Sequence, residues 1–365
     1  MGKVYVITNP MPLHNNSPAI SLGKFIRVMS HAGYAPEVIG ARMPRDGLPG
    51  VSDAITIKSY RYGGKGIFKL ISFIFLQIKM FFSLLFKLRR DDVVYFWIAD
   101  KMIGAFTAAR FRKAETNYFV YGRVFGENIE GFSVKLIKHM MNKASYICAE
   151  SASVFDQWHP SDELLRDCIS LFVPERDIVP VPFNERHMKV AMFCRLCEGK
   201  HIDDSIKAFS MIHEKFPEYE LRIIGGGLLE DDANALIKDL KAEDYIRITG
   251  WLDPESAAKE LSVCRVLLFP TDAEGVPGSV LEAMSLGVPA LASPAGGIPD
   301  FVINGENGVI LSSADAETIA KELEEILSSG KLEEMSYAAF ETIKNDFSIE
   351  AAADNFRNVR KKHNH

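Results

Sequence analysis

The chain has 365 residues, of which 47% are hydrophobic and 25% charged, with 26 Gly and 17 Pro. That is more than twice a domain of roughly 150 residues, which predicts two domains and excludes a small stapled scaffold, a disordered chain and a collagen-like one. Five cysteines, at 148, 168, 194, 197 and 264, are too few and too irregular for a disulfide framework and fit a reducing, cytoplasmic compartment. The net charge of −6 gives no reason to expect nucleic acid. It hides an asymmetry, however: residues 1–180 hold 23 Lys/Arg against 16 Asp/Glu, and residues 181–365 hold 19 against 32.

In chain order, Met1-Gly2-Lys3 leads into Val4–Ile7, an apolar run too short for a signal peptide that reads as a first strand. Further strands are expected at 37–39, 54–57, 93–96, 117–121, 146–148 and 178–181, with helices at 20–32, 67–89, 101–112, 131–143 and 151–158. The second half repeats the rhythm, with strands near 190–194, 220–224, 245–249, 265–269 and 289–292. Its helices are expected near 202–216, 228–241, 255–262, 278–286, 315–328 and 331–344. Strand–helix alternation predicts parallel sheets covered on both faces, because parallel strands need long crossovers. Pro180, Pro182 and the polar run Asn184–His187 mark 181–188 as the linker. Two open α/β units predict a bilobed protein with ligand in the cleft between them.

One segment breaks the average. From Lys58 to Arg90 there are eight cations and no acid, and Ile67 to Leu88 is strongly apolar, interrupted only by Lys69, Lys79 and Lys87. The length would span a bilayer, but the strand at 93–96 follows almost at once and belongs with the strands before Lys58, so spanning would separate sheet neighbours. Two readings stay open: a crossover helix packed on its sheet, or the same helix also contacting an anionic membrane surface, since one sheet cannot hide so many Phe, Leu and Ile side chains.

Cys194-Arg195-Leu196-Cys197 with His201 invites a zinc reading, but no second CxxC or HxxxH completes such a site. Gly225-Gly226-Gly227 follows an expected strand and precedes a helix, where glycine permits a tight turn near a ligand, yet neither GxGxxG nor a Lys-Ser/Thr ending is present. The informative stretch is Phe269 to Met284. A strand ends near Pro270, a polar loop carries Glu274, and a helix starting at Gly278 carries Glu282, so two carboxylates can address different hydroxyls of one ligand while free helix-start N–H groups face an anion.

Glu274 to Met284, continuing through Ser285–Ser293 and Gly296-Gly297-Ile298-Pro299, resembles the E-x7-E motif of retaining glycosyltransferase family 4, which has the GT-B fold. The resemblance extends over Phe193–Phe209, the Gly225–Gly227 turn, Gly250 and Asn304–Gly308, and covers the second half nearly throughout. It implies two Rossmann-like doubly wound domains facing across a cleft: an acceptor-binding domain at 1–183, a sugar-nucleotide domain at 184–346, and a closing helix, 347–365, that returns to the first domain. It further implies a retaining transfer of sugar from a UDP or GDP sugar to an acceptor hydroxyl, with no metal and no other cofactor. Arg195 and Lys200 match the pair that holds the donor diphosphate, and Glu274 is placed at the donor sugar. Gly225, Gly226, Gly275, Gly278, Ser279, Val280 and Glu282 are implied as donor-binding, Glu282 at the ribose hydroxyls. Cys194 and His201 stand where the family usually has glycine, and Tyr121 where many members have His. Acceptor-side candidates, on position and polarity alone, are Asn16, Trp97, Asp100, Tyr121 and Arg123, with Trp97 read equally well as a core residue. A glycan or lipid-linked acceptor would suit the basic apolar helix, with the protein peripheral on the inner face of the cell membrane. Other expectations left open are a soluble-acceptor GT-B enzyme, a sugar-phosphate synthase, and a bilobed scaffold with a decayed site.

Overall fold

Parallel strands buried on both faces dominate the computed structural model, which describes residues 2–11, 17–44, 46–120, 132–158, 160–174 and 178–363. Seven strands form the first sheet: β1 (Val4–Thr8), β2 (Glu37–Ala41), β3 (Ile57–Tyr60), β4 (Val93–Trp97), β5 (Glu115–Phe119), β6 (Tyr146–Ala149) and β7 (Arg166–Cys168). Their order is β3-β2-β1-β4-β5-β6-β7, every pair parallel. The second sheet comprises β8 (Lys189–Phe193), β9 (Glu220–Ile224), β10 (Ile246–Ile248), β11 (Val266–Phe269), β12 (Ala290–Ala292) and β13 (Gly308–Ile310), in the order β10-β9-β8-β11-β12-β13, again parallel. In both, the order reverses beside the first strand, between β1 and β4 and between β8 and β11, which is where open α/β sheets place their ligands.

By internal contacts the chain divides into two units, one built from residues 2–120, 132–172 and 349–363 and the other from Val173–Ser348. The division falls ahead of Val173 and not at residue 184. Val173 is in the second unit's core and donates its N–H to the Phe347 carbonyl at 2.9 Å, and Ile178 and Phe183 pack on the same core. The strand expected at 178–181 is not formed, since Pro180 and Pro182 bring no N–H to a ladder. The polar triplet Arg166–Cys168 takes the sheet edge instead, and the strand expected at 54–57 lies at Ile57–Tyr60.

Apolar side chains line both faces of the first sheet. On one face, helices α1 (Ser17–His31) and α12 (Ile349–His363) close over Phe25, Tyr95, Trp97, Phe119 and Phe356. The closing helix is therefore part of this unit: Arg360 ion-pairs with Glu115, and the imidazole of His363 lies between Glu115 (3.1 Å) and Asp167 (2.6 Å), stacked on Tyr146. On the other face lie α2 (Gly66–Lys87) and α3 (Ile103–Phe111).

Helix α2 is the one described helix long and apolar enough to cross a membrane, but it is the crossover from β3 to β4, both members of one sheet. It buries Leu76, Met80 and Leu84. Its opposite side is also apolar: Ile67, Phe68, Ile71, Ile74, Phe75, Ile78, Phe82 and Phe86 are exposed, Phe86 to 83%. At 100° per residue these eight share one stripe, and Lys79 lies at its edge. The outward face of α2 is thus as apolar as the face it buries.

Candidate active site

Three strand ends build a site at the carboxyl edge of the second sheet. Beyond β8 the chain turns through Cys194–His201, beyond β9 through Gly225–Gly227, and beyond β11 through Pro270–Pro277 into helix α9 (Gly278–Ser285). Backbone hydrogen bonds lock the turns together: Leu196 N–H donates to the Gly226 carbonyl at 3.0 Å, and Asp272 N–H to the Gly199 carbonyl at 3.0 Å. Glycine is required at Gly225, where φ is +136° and a Cβ would lie 2.0 Å from the Cys194 carbonyl oxygen. Gly296, at φ +55°, is held the same way under the Glu274 loop, its Cβ position 2.2 Å from the Glu274 carbonyl oxygen. Next to it, Gly297 N–H donates to the Gly275 carbonyl at 2.6 Å.

Within this frame the Lys200 ammonium ion-pairs with the Glu274 carboxylate and donates to Thr271 Oγ1 at 3.2 Å, above the Phe269 ring. Both charged side chains are mostly buried. Arg195 is exposed and forms no salt bridge among the described residues. Helix α9 starts after Pro277 with no side-chain cap, so the first-turn N–H groups of Gly278, Ser279 and Val280 are open to an acceptor. The Val280 side chain is buried in the core, which leaves its backbone as the part available to a ligand. Glu282, half-buried, follows Gly278 by one turn on the same side of α9.

His201 takes the left-handed conformation (φ 44°, ψ 44°), a backbone region that favours glycine. Its ring is pinned by Asp204 at 3.0 Å and Asp272 at 2.8 Å. Burial opposes its charge, but these two carboxylates outweigh burial and raise its pKa. Burial pushes the Cys194 thiol up to about 12, the opposite of a metal-binding thiolate. Among the described residues no group of three or more His, Cys, Asp or Glu is arranged to hold a metal ion.

At the switch point of the first sheet, Asn9 after β1 donates to the Asp100 carboxylate after β4, and Asn9 Oδ1 accepts the Lys101 N–H at 3.1 Å. Trp97 is corrected as an acceptor-stacking residue: it is wholly buried and stacks on Phe25 at 4.3 Å, so no ring face is open to a sugar. Asn16, Tyr121 and Arg123 lie outside the described residues. Sequence reasoning gave no role to Thr271, Asp272 and Trp251. The indole of Trp251 is exposed and lies against Gly226, whose Cβ position is 2.9 Å from its Cδ1. A Trp directly after the strand-end Gly250 was the available signal.

The chain is similar to known glycosyltransferases in sequence and in fold. Residues 175–342 match the family model described as glycosyl transferases group 1. The amylovoran biosynthesis glycosyltransferase AmsK of Erwinia amylovora is 28% identical over 139 residues, 36% of this chain and 34% of that protein. The lipopolysaccharide core biosynthesis glycosyltransferase LpsE of Rhizobium meliloti is 27% identical over 161 residues, 44% of this chain and 46% of that protein. The alignments thus span less than half the length of these curated relatives. Two solved structures match over almost the whole chain: Anabaena HepE in complex with UDP (TM-score 0.75, 15% identity, 99% of this chain and 100% of that one) and the sucrose-phosphate synthase of Thermosynechococcus elongatus (TM-score 0.75, 17% identity, 99% of each). The fold is GT-B.

Proposed function

We propose that this chain, a GT-B protein related to the glycosyl transferases group 1 family through residues 175–342, transfers a glycosyl group from a nucleotide diphosphate sugar to an acceptor hydroxyl with retention. The observation that carries the reading is the meeting of Lys200 and Glu274, delivered by the loops after β8 and β11, at the point where the strand order reverses beside the open start of α9. Arg195 and Lys200 hold the donor diphosphate, joined by the N–H groups of Gly278, Ser279 and Val280. Gly225, Gly226 and Gly275 bring backbone close to the donor. Glu282 takes the ribose hydroxyls, and Glu274 faces the donor sugar.

Charge on the diphosphate rises as it leaves. Cations and helix-start amides already in position therefore stabilise the transition state more than the bound donor. The leaving phosphate accepts the proton of the attacking hydroxyl, so the scheme does not depend on a protein base at position 121.

The acceptor is a glycan or lipid-linked intermediate of cell-surface polysaccharide or glycolipid synthesis, a reading supported by the biosynthetic roles named for AmsK and LpsE and by the outward apolar stripe of α2. Phe68, Phe75, Phe82 and Phe86, with Lys79 beside them, suit a protein lying on an anionic inner membrane face. The test is a thermal-shift screen of UDP and GDP sugars followed by acceptor assays. A shift with one sugar nucleotide and transfer to a lipid-linked acceptor are expected. No shift with any donor would contradict the reading, and transfer to soluble acceptors alone would replace the membrane part of it.

A further inference from the structure

At the opposite, amino-terminal edge of the first sheet lies a second cavity, about 1200 Å³ in volume, in the first unit alone. Its walls come from four segments: the start of β1, the turn after α1, the α2–β4 connection and the last turns of α12. They carry six cations, Lys3, Lys87, Arg89, Arg357, Arg360 and Lys361, against two carboxylates, Asp91 and Asp92. Asp92 is buried, and its oxygens accept the backbone N–H groups of Lys3 and Arg89, each at 2.8 Å, so it fixes the shape of the wall. Lys87 pairs with Glu37, Arg357 with Asp354 and Arg360 with Glu115. Lys3, Arg89 and Lys361 are exposed and form no salt bridge among the described residues.

From this geometry we infer a second anion site, separate from the sugar-nucleotide site, that takes a group bearing two or more phosphate charges. A single carboxylate would not satisfy three cations from three segments, whereas a polyphosphate or a phosphorylated headgroup offers several acceptor oxygens at once. Lys361 lies in the last turn of α12 and Arg89 directly after the C-cap of α2, where each also offsets the carbonyl end of a helix, but Lys3 serves no such role. An anion bridging all three ties α12 to the starts of β1 and β4. The source is either a soluble polyphosphate or the headgroup of an anionic lipid, the second reached from the end of α2 where Phe86 is exposed.

The test uses the full chain carrying Arg195→Ala, which weakens the proposed donor site. Sodium tripolyphosphate is titrated calorimetrically, and flotation with phosphatidylglycerol vesicles is run in parallel. Adding Lys3→Gln/Arg89→Gln/Lys361→Gln is expected to weaken binding in at least one assay by tenfold or more. The control Lys135→Gln/Lys138→Gln/Lys143→Gln, which removes three exposed cations of helix α4 (Phe132–Met141) and its end, should cost less than threefold. Loss of tripolyphosphate binding alone assigns a soluble anion, and loss of vesicle binding assigns a headgroup. Hydrogen exchange in α12 should slow with bound ligand. The inference is overturned if the first triple substitution changes neither assay, or if the control lowers binding equally. Sugar-nucleotide binding by the native chain is a separate readout, so failure here leaves the proposed activity standing.

Discussion

The Lys200 ammonium is ion-paired with the Glu274 carboxylate, 74 residues further along the chain, and the same nitrogen donates to Thr271 Oγ1. Each side chain holds the other in a fixed place, at the end of a different strand. Lys200→Ala should weaken nucleoside diphosphate binding roughly ten- to a hundredfold, the loss of one charge-assisted hydrogen bond of about 1.5–3 kcal/mol. Glu274→Gln should keep nucleotide affinity within a few-fold and lower kcat instead. Calorimetry and initial-rate kinetics separate the two, and equal effects on affinity would contradict the assigned roles.

Gly225→Ala should destabilise the chain by at least about 1–3 kcal/mol, because the new methyl meets the Cys194 carbonyl in a backbone region L residues avoid. Denaturant midpoints measure this. Gly33, also at positive φ but with open space around its Cβ position, gives the comparison: Gly33→Ala should cost less.

The closing helix should loosen as pH rises. Burial of His363 opposes its charge, yet the hydrogen bonds its ring donates to Asp167 and Glu115 prevail and raise its pKa. A raised folded pKa means that the contribution is complete below the unfolded value of about 6.5 and disappears as pH climbs through the folded value. Protection of the α12 amides relative to their intrinsic, base-catalysed exchange should therefore fall between neutral and alkaline pH. His363→Gln should flatten that dependence. An unchanged profile in the variant would remove His363 as its cause.

Phe75→Ser/Phe82→Ser should leave the unfolding midpoint nearly unchanged, since both rings face outward, and should reduce partitioning onto anionic vesicles at least tenfold. Sedimentation against neutral vesicles controls for surface charge. Native-like partitioning by the double variant would exclude the α2 stripe as the contact.

The alternation of buried strands and crossovers was legible because parallel strands buried on both faces are nearly continuous apolar runs, as in Val93–Trp97 and Val266–Phe269. Two edge strands were not: Arg166–Cys168 is short and polar, and Gly308–Ile310 follows a turn motif with only three residues to show. Glu274, Glu282, Arg195 and Lys200 stood out as a pattern, but the Lys200–Glu274 contact depends on two loops whose approach is set by sheet order. Trp97 stayed open between sugar stacking and core packing, because a Trp at a strand end carries no local mark of whether it faces the core or solvent. The Arg360–Glu115 pair, 245 residues apart, has no sequence signature at all.

The most direct measurement is calorimetric titration of UDP and GDP into the native chain and into Glu282→Ala and Arg195→Ala. The account predicts saturable binding of at least one nucleotide by the native protein and at least tenfold weaker binding by each variant. Native affinity retained in both variants, or no binding of either nucleotide to the native chain, would contradict it.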